Sequence, residues 1–207
     1  MKNDPVEQIK KAVAILKKGG VLAFPTDTVY GLGAMADNPA AIRRIFEIKK
    51  RPLSLALPLL LSEAEEVDNV AVTIPELARC LIARFWPGAL TVILKKAAWV
   101  PDVLTAGSSN VAVRVPAHPV PVALVRGMEM ALVGTSANIH GRPSPVTSTE
   151  VKEQLADSVD FIIDGGQTPG GIESTVIDVT VVPPRILRQG AISIREIEKT
   201  TPLDKCP

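Results

Sequence analysis

Strand-like and helix-like segments alternate out of step along this chain, and several strand-like runs follow one another with no helix between them. A regular strand–helix–strand alternation closes into a parallel sheet, whereas this order calls for a mixed one. The apolar runs are short: VLAF at 21–24, 57–61, ALTVILK at 89–95, VAVRV at 111–115 and MALVGT at 130–135. Further strands are expected at 161–164, 175–180 and 185–187. Between them, Val6, Ile9, Val13 and Leu16 recur at helical spacing up to the stop at Gly19-Gly20. Asn38-Pro39 reads as an N-cap followed by the first helical residue, with Ile42, Ile45 and Phe46 as the apolar stripe. Ser62 with Glu65, Thr73 with Glu76, Thr147 with Glu150 and Ser193 with Glu196 have the spacing of capping boxes, and a short helix is expected at 121–126. The expected fold class is α/β (α+β), in one compact domain with no repeat or long linker.

Aromatic residues make up only 3% of the 207 residues, so the core must be built from Val, Ile, Leu and Ala. The 46% hydrophobic content is enough for such a core and excludes general disorder. A net charge of +1 excludes a bulk polyanion binder but leaves room for a local basic patch. Cys80 and Cys206 make neither a disulfide framework nor a zinc site; they read as a buried small residue and a tail thiol. The first residues, MKNDPVEQIKKAV, lack a signal-peptide apolar run, and 55–61 is too short to span a bilayer, so a cytoplasmic, non-membrane protein is expected.

Four polar clusters stand out. PTDTVYGLG, at 25–33, follows a strand and gathers hydroxyls and a carboxylate ahead of two glycines that let the backbone approach something closely. GLGAMA within it matches GxGxxA, but six residues separate the strand from the first glycine, too many for a dinucleotide fingerprint. Arg43, Arg44, Lys49, Lys50 and Arg51 concentrate positive charge at a helix end. That run is either a solvated helix terminus or a group converging on phosphates. GTSANIHGRPSP, at 134–145, offers Thr135, Ser136, Asn138 and Ser144 among small residues. DGGQTPGGIESTVID, at 164–178, carries four glycines before Ser174-Thr175. Arg114 within VAVRV and Arg188 after RIL must each face water, a carboxylate or a ligand, because an unpaired buried charge is costly.

Other chemistries are excluded by what is missing. His118 and His140 have no partners at metal-ligand spacing. There is no GxSxG elbow and no GxxxxGK[ST] loop. Aromatics are too few for a single-strand stacking platform. What remains is a site rich in hydroxyls, glycines and arginines, suited to a polar, phosphate-bearing small ligand.

In order along the chain, PTDTVYGLG, the KxR of Lys49 and Arg51, FWPGALTVIL (85–94), VAVRVP, TSANIHGRPSP, DGG with TPGGIESTVID, and ILRQGAI (186–192) resemble the motifs of the YrdC-like family, the threonylcarbamoyl-AMP synthases. The likeness spans 8–198 as a single YrdC-like domain, with 199–207 as a tail, and is to the short, single-domain members. It implies a twisted mixed sheet with flanking helices around a large, positively charged cavity. It also implies a reaction: L-threonine, bicarbonate or CO2, and ATP give threonylcarbamoyl-AMP and pyrophosphate. The adenylate would supply partner proteins that modify adenosine in tRNA. By resemblance, Thr28, Arg114, Gly134 and Ser174 hold L-threonine. Lys49 and Arg51 face the ATP phosphates as the catalytic pair, and Ser136, Ser144 and Arg188 contact the nucleotide. Mg2+ would arrive with ATP, without protein ligands.

Leu55-Ala56-Leu57 and Leu60 stand where family members often carry Asn-Pro-Leu and sometimes a threonine-touching histidine. One alternative is a double-stranded RNA or tRNA-binding module without synthase activity, using the 43–51 basic run. Another is a carbamoyl-transfer subunit.

Overall fold

The structure is a computed structural model that describes residues 4–199. The chain runs α1 (Pro5–Lys17), β1 (Leu22–Phe24), β2 (Gly31–Gly33), α2 (Pro39–Lys49) and β3 (Leu59–Leu60). A 3-10 turn (Ala64–Glu66) leads into α3 (Val67–Val70), β4 (Ala71–Thr73), α4 (Glu76–Phe85), β5 (Leu90–Lys96), α5 (Asp102–Thr105) and β6 (Asn110–Arg114). Then come α6 (Pro119–Met128), β7 (Leu132–Val133), β8 (Thr135–Ser136), α7 (Ser148–Leu155), β9 (Phe161–Ile162), β10 (Thr175–Asp178), β11 (Arg185–Arg188) and α8 (Ile194–Glu198). The expected tail beyond Lys199 lies outside the described residues.

Two mixed sheets form. The smaller has the order β8-β2-β1-β9, and the larger β11-β10-β5-β6-β3-β7 with β4 added against β5. In the larger, β10 runs parallel to β5 and β3 parallel to β6, while β5–β6 and β3–β7 are antiparallel. Both senses occur because strand–strand neighbours such as β10 and β11 turn back directly, while helices lie in many of the other connections. The stretch 132–136 enters both sheets: β7 pairs with β3, and after Gly134 the chain pairs with β2 as β8. Most buried apolar residues form one cluster around the larger sheet. A second cluster, with Leu16, Phe24, Leu124 and Leu132, packs α1 and α6 against β1.

Local signals explain most helix starts. Asn38 accepts from the Ala41 amide at 3.1 Å, Thr147 from Glu150 at 3.2 Å, and Ser193 with Glu196 closes a reciprocal capping box. Two expected boxes are corrected. The amide and hydroxyl of Ser62 bond Glu66, not Glu65, at 2.8 and 2.6 Å. Thr73 is taken up by β4, so α4 starts behind Pro75 with no side-chain cap. The expected helix at 121–126 is longer, because His118 caps it and Pro119 opens it. The glycines of β2 do permit a close approach, and the structure shows to what. Side chains at Gly31 and Gly33 would collide with the Phe24 ring and, at Gly33, the Val133 carbonyl, so these glycines serve strand packing. Cys80 is buried in α4, as expected. Cys206 lies outside the described residues. Among the described residues, no helix is long and apolar enough to cross a membrane.

His118 gives the fold a pH dependence. Its Nδ1 accepts from the Val120 amide at 3.2 Å, which requires that nitrogen to be unprotonated. Burial lowers its pKa from 6.5, against a smaller opposing pull from Asp27. The folded pKa lies below the unfolded one, so the unfolded state binds the proton first. The contribution is full above pH 6.5 and is lost as the pH falls from there through the folded value. We expect the melting temperature to drop between pH 7.5 and 5.5 by an amount equivalent to up to about 1 kcal/mol, the worth of a cap. His118→Asn, which caps without titrating, should flatten that part of the profile in a calorimetric pH series.

Candidate functional site

A cavity of about 560 Å3 opens between the two sheets. All nine residues expected from sequence line it: Thr28, Lys49, Arg51, Arg114, Gly134, Ser136, Ser144, Ser174 and Arg188. Lys49 and Arg51 come from the end of α2 and the turn after it, and the others from strand ends and the loops beside them.

Arg114 ends β6 and is 6% exposed. Its guanidinium donates to the Asp27 carboxylate at 2.6 Å, to the Gly88 carbonyl at 2.8 Å and to the Thr28 hydroxyl at 3.2 Å. Those bonds occupy three of its five N–H groups, leaving two for a ligand. Burial pulls its pKa down, and Asp27 pulls it back up. Thr28 is fixed in turn by Thr26, whose hydroxyl lies 3.0 Å away and donates to the Val29 carbonyl at 2.7 Å. The bend is secured from outside by Tyr30. Its hydroxyl donates to the Gly166 carbonyl at 2.8 Å and accepts from the Gly165 amide at 3.2 Å. The first half of the glycine-rich 164–178 segment therefore buttresses the site, and only Glu173, Ser174 and Val176 of that segment reach the cavity.

Lys49 is 1% exposed. Its ammonium donates to the Ser136 carbonyl, to the Asn138 carbonyl at 2.9 Å and to Asn138 Oδ1 at 3.1 Å. All three N–H groups are thus used within the protein. Lys49 holds the 136–138 loop, and contact with a phosphate would have to replace one of these bonds. Burial, with Arg51 nearby, pulls its pKa down to about 8, so it remains mostly cationic at neutral pH. Lys50, at φ 50°, turns the chain out of α2. Arg51 then braces the next loop through the Leu55 carbonyl at 3.2 Å and the Ala56 carbonyl at 3.0 Å, keeping three N–H groups in hand.

The basic run does not form one surface. Arg44 is paired with Asp160 at 2.5 and 2.9 Å, and Lys49 faces inward.

On the far wall, Ser174 shares a hydrogen bond of 2.8 Å with Thr91. Arg188 donates to the Ser174 carbonyl at 3.0 Å and hydroxyl at 3.2 Å, and pairs with Glu173. Ser144 donates to the other Glu173 oxygen at 2.9 Å. Gly134 lies against Leu60, and a side chain there would strike the leucine. Leu60 lines the cavity, whereas Leu55 is 38% exposed, is not part of the lining, and accepts from Arg51 through its carbonyl.

Sequence reasoning missed Thr91, Glu173 and Asp27 as site partners. Thr91 carried a weak signal, a lone polar residue in an apolar run. The other two are defined only by which arginine they meet. Among the described residues, no cluster of His, Cys, Asp and Glu could hold a metal. Glu173 is the single carboxylate in the lining and is already engaged, so a divalent cation would have to be held chiefly by a ligand's phosphates.

This is a two-sheet α/β scaffold whose cavity presents Lys49, Arg51, Arg114, Arg142 and Arg188 against one acid, an arrangement for polar anionic ligands. The chain belongs to the Sua5/YciO/YrdC family, whose model, described as "Telomere recombination", matches residues 14–190. It is 45% identical over 192 residues to a threonylcarbamoyl-AMP synthase of Pyrococcus abyssi, covering 93% of this chain and 56% of that protein. It is 43% identical over 198 residues to one of Bacillus subtilis, covering 95% and 56%. The crystal structure of P. abyssi Sua5 complexed with L-threonine superposes with a TM-score of 0.93 at 43% identity, over 98% of this chain and 59% of that one. The chain thus spans little more than half the length of these relatives.

Proposed function

We propose that this chain is an L-threonylcarbamoyladenylate synthase, an enzyme that makes threonylcarbamoyl-AMP and pyrophosphate from L-threonine, bicarbonate or CO2, and ATP. The observation that carries this reading is the separation of cationic groups within one cavity. Arg114 with Thr28 offers a deep carboxylate site. Arg51, Arg188, Ser136 and Ser144 offer an open cluster for a triphosphate. The amino acid carboxylate takes the free N–H pair of Arg114, with Thr28, Ser174 and the backbone near Gly134 around it. Its amine takes up CO2 as a carbamate, and a carbamate oxygen attacks the α-phosphate, expelling pyrophosphate. The side chains bind, orient and stabilise charge; little proton transfer is required of them. Lys49 adds charge and holds the loop carrying Ser136. Mg2+, carried on the triphosphate, would screen its charge. The adenylate would pass to partner proteins that modify tRNA.

The test is pyrophosphate release from ATP, Mg2+ and bicarbonate, with and without L-threonine, and with L-serine as control. Release that requires both threonine and bicarbonate is expected; release indifferent to threonine would sink the reading. The RNA-binding alternative is not favoured, because the basic run is split between a paired Arg44 and an inward Lys49. The carbamoyl-transfer reading has no separate observation behind it.

A further inference from the structure

Both strand-end arginines of the cavity come with a carboxylate of their own, but the two pairs differ in access. In the Arg114–Asp27 pair the side chains are 7% and 13% exposed; in the Arg188–Glu173 pair they are 46% and 32% exposed. Glu173 does more than pair with Arg188. Its second oxygen accepts the Ser144 hydroxyl, and its charge acts on Lys49 and Arg51 as well. A carboxylate thus sits at the centre of the groups that would otherwise receive a phosphate.

We propose that Glu173 is a built-in anion occupying the phosphate subsite of Ser144 and Arg188, so that a phosphate-bearing ligand binds by displacing it. The phosphate identity rests on the function proposed above; the exchange itself concerns any polyanion. An intramolecular carboxylate has a high effective concentration. A free monoanion, such as bicarbonate or an amino acid carboxylate, gains nothing by replacing one single charge with another. A polyphosphate brings more charge and more acceptor oxygens, and it wins the exchange. Glu173 therefore acts as a specificity-determining residue: it keeps monocarboxylates out of the phosphate subsite and leaves them to Arg114.

The experiment is calorimetric titration of the folded chain with inorganic pyrophosphate, in EDTA and then with Mg2+, for the parent, Glu173→Gln and Glu173→Ala. Removing the internal competitor should tighten pyrophosphate binding about two- to fivefold, the scale of a partly exposed ion pair. The gain should vanish when Arg188→Gln is added, because the exchanged partner is then gone. With L-threonine saturating the Arg114 site, acetate should be silent on the parent and become a weak ligand of Glu173→Ala. Unchanged or weaker pyrophosphate binding in both Glu173 variants overturns the proposal, as does a failure of every form to bind pyrophosphate. Weaker binding confined to Mg2+ would instead make Glu173 a metal contact. Thermal melts and L-threonine titration report whether each variant keeps its site. Because the probe is not the nucleotide, a failure of threonine-dependent turnover would leave this measurement readable.

Discussion

Arg114→Ala is expected to cut threonine-dependent pyrophosphate release at sub-saturating threonine and to weaken the protein at the same time. The two losses have separate causes. Charge-assisted bonds to a carboxylate contribute about 1.5–3 kcal/mol, so losing the clamp should cost roughly 10- to 100-fold in threonine affinity. The stability loss comes from Asp27, whose 13%-exposed side chain would be left without its guanidinium partner. Breaking a buried pair by removing one side costs on the order of 3–5 kcal/mol. Pairing Arg114→Gln with Asp27→Asn should restore much of the melting temperature and none of the threonine binding. If Arg114→Ala melts like the parent, the pair is not the structural tie described above. If threonine still binds with parental affinity, the carboxylate site lies elsewhere.

Lys49→Met should carry the second large effect, and it should appear with no ligand present. The substitution keeps the stem and removes the ammonium that serves the Ser136 and Asn138 acceptors. Buried acceptors left short of donors cost about 1–3 kcal/mol each, partly recovered by entering water. A net loss of about 3 kcal/mol corresponds to a fall in melting temperature of roughly 6–12 °C at this chain length. Lys49→Arg should not rescue it, since a planar fork does not fit a pocket shaped around a single ammonium. A parental melting temperature with lost nucleotide binding would instead assign Lys49 to the phosphates alone.

The parts of this molecule that could be read in advance are those settled within a few residues. Asn38, Thr147 and Ser193 act on amides three positions away, so their caps follow from spacing. Ser62 and Thr73 have the same spacing and do otherwise, because Glu66 reaches Ser62 and strand pairing reaches Thr73. The strand Gly31–Gly33 was invisible for a related reason. It has no β-branched residue, and its partners, β1 and β8, supply its order from outside. The site divides in the same way. Motifs located nine of its lining residues, but not the pairing of Arg114 with Asp27, of Ser174 with Thr91, or of Lys49 with the 136–138 loop. Those meetings depend on how the sheets approach each other, which no local pattern encodes.

The stretch 132–136 has a bearing on how this chain can vary. Because β7 and β8 are separated only by Gly134, one added or deleted residue could not be absorbed locally. It would invert the alternation of side chains in one sheet or the other, since strand faces repeat every two residues. The position also excludes a side chain, because Leu60 fills the space above it. Surface connections such as 180–184 can lengthen at little cost. The seam between the sheets has a fixed residue count, and any divergence in this cavity must come from side chains rather than from chain length there.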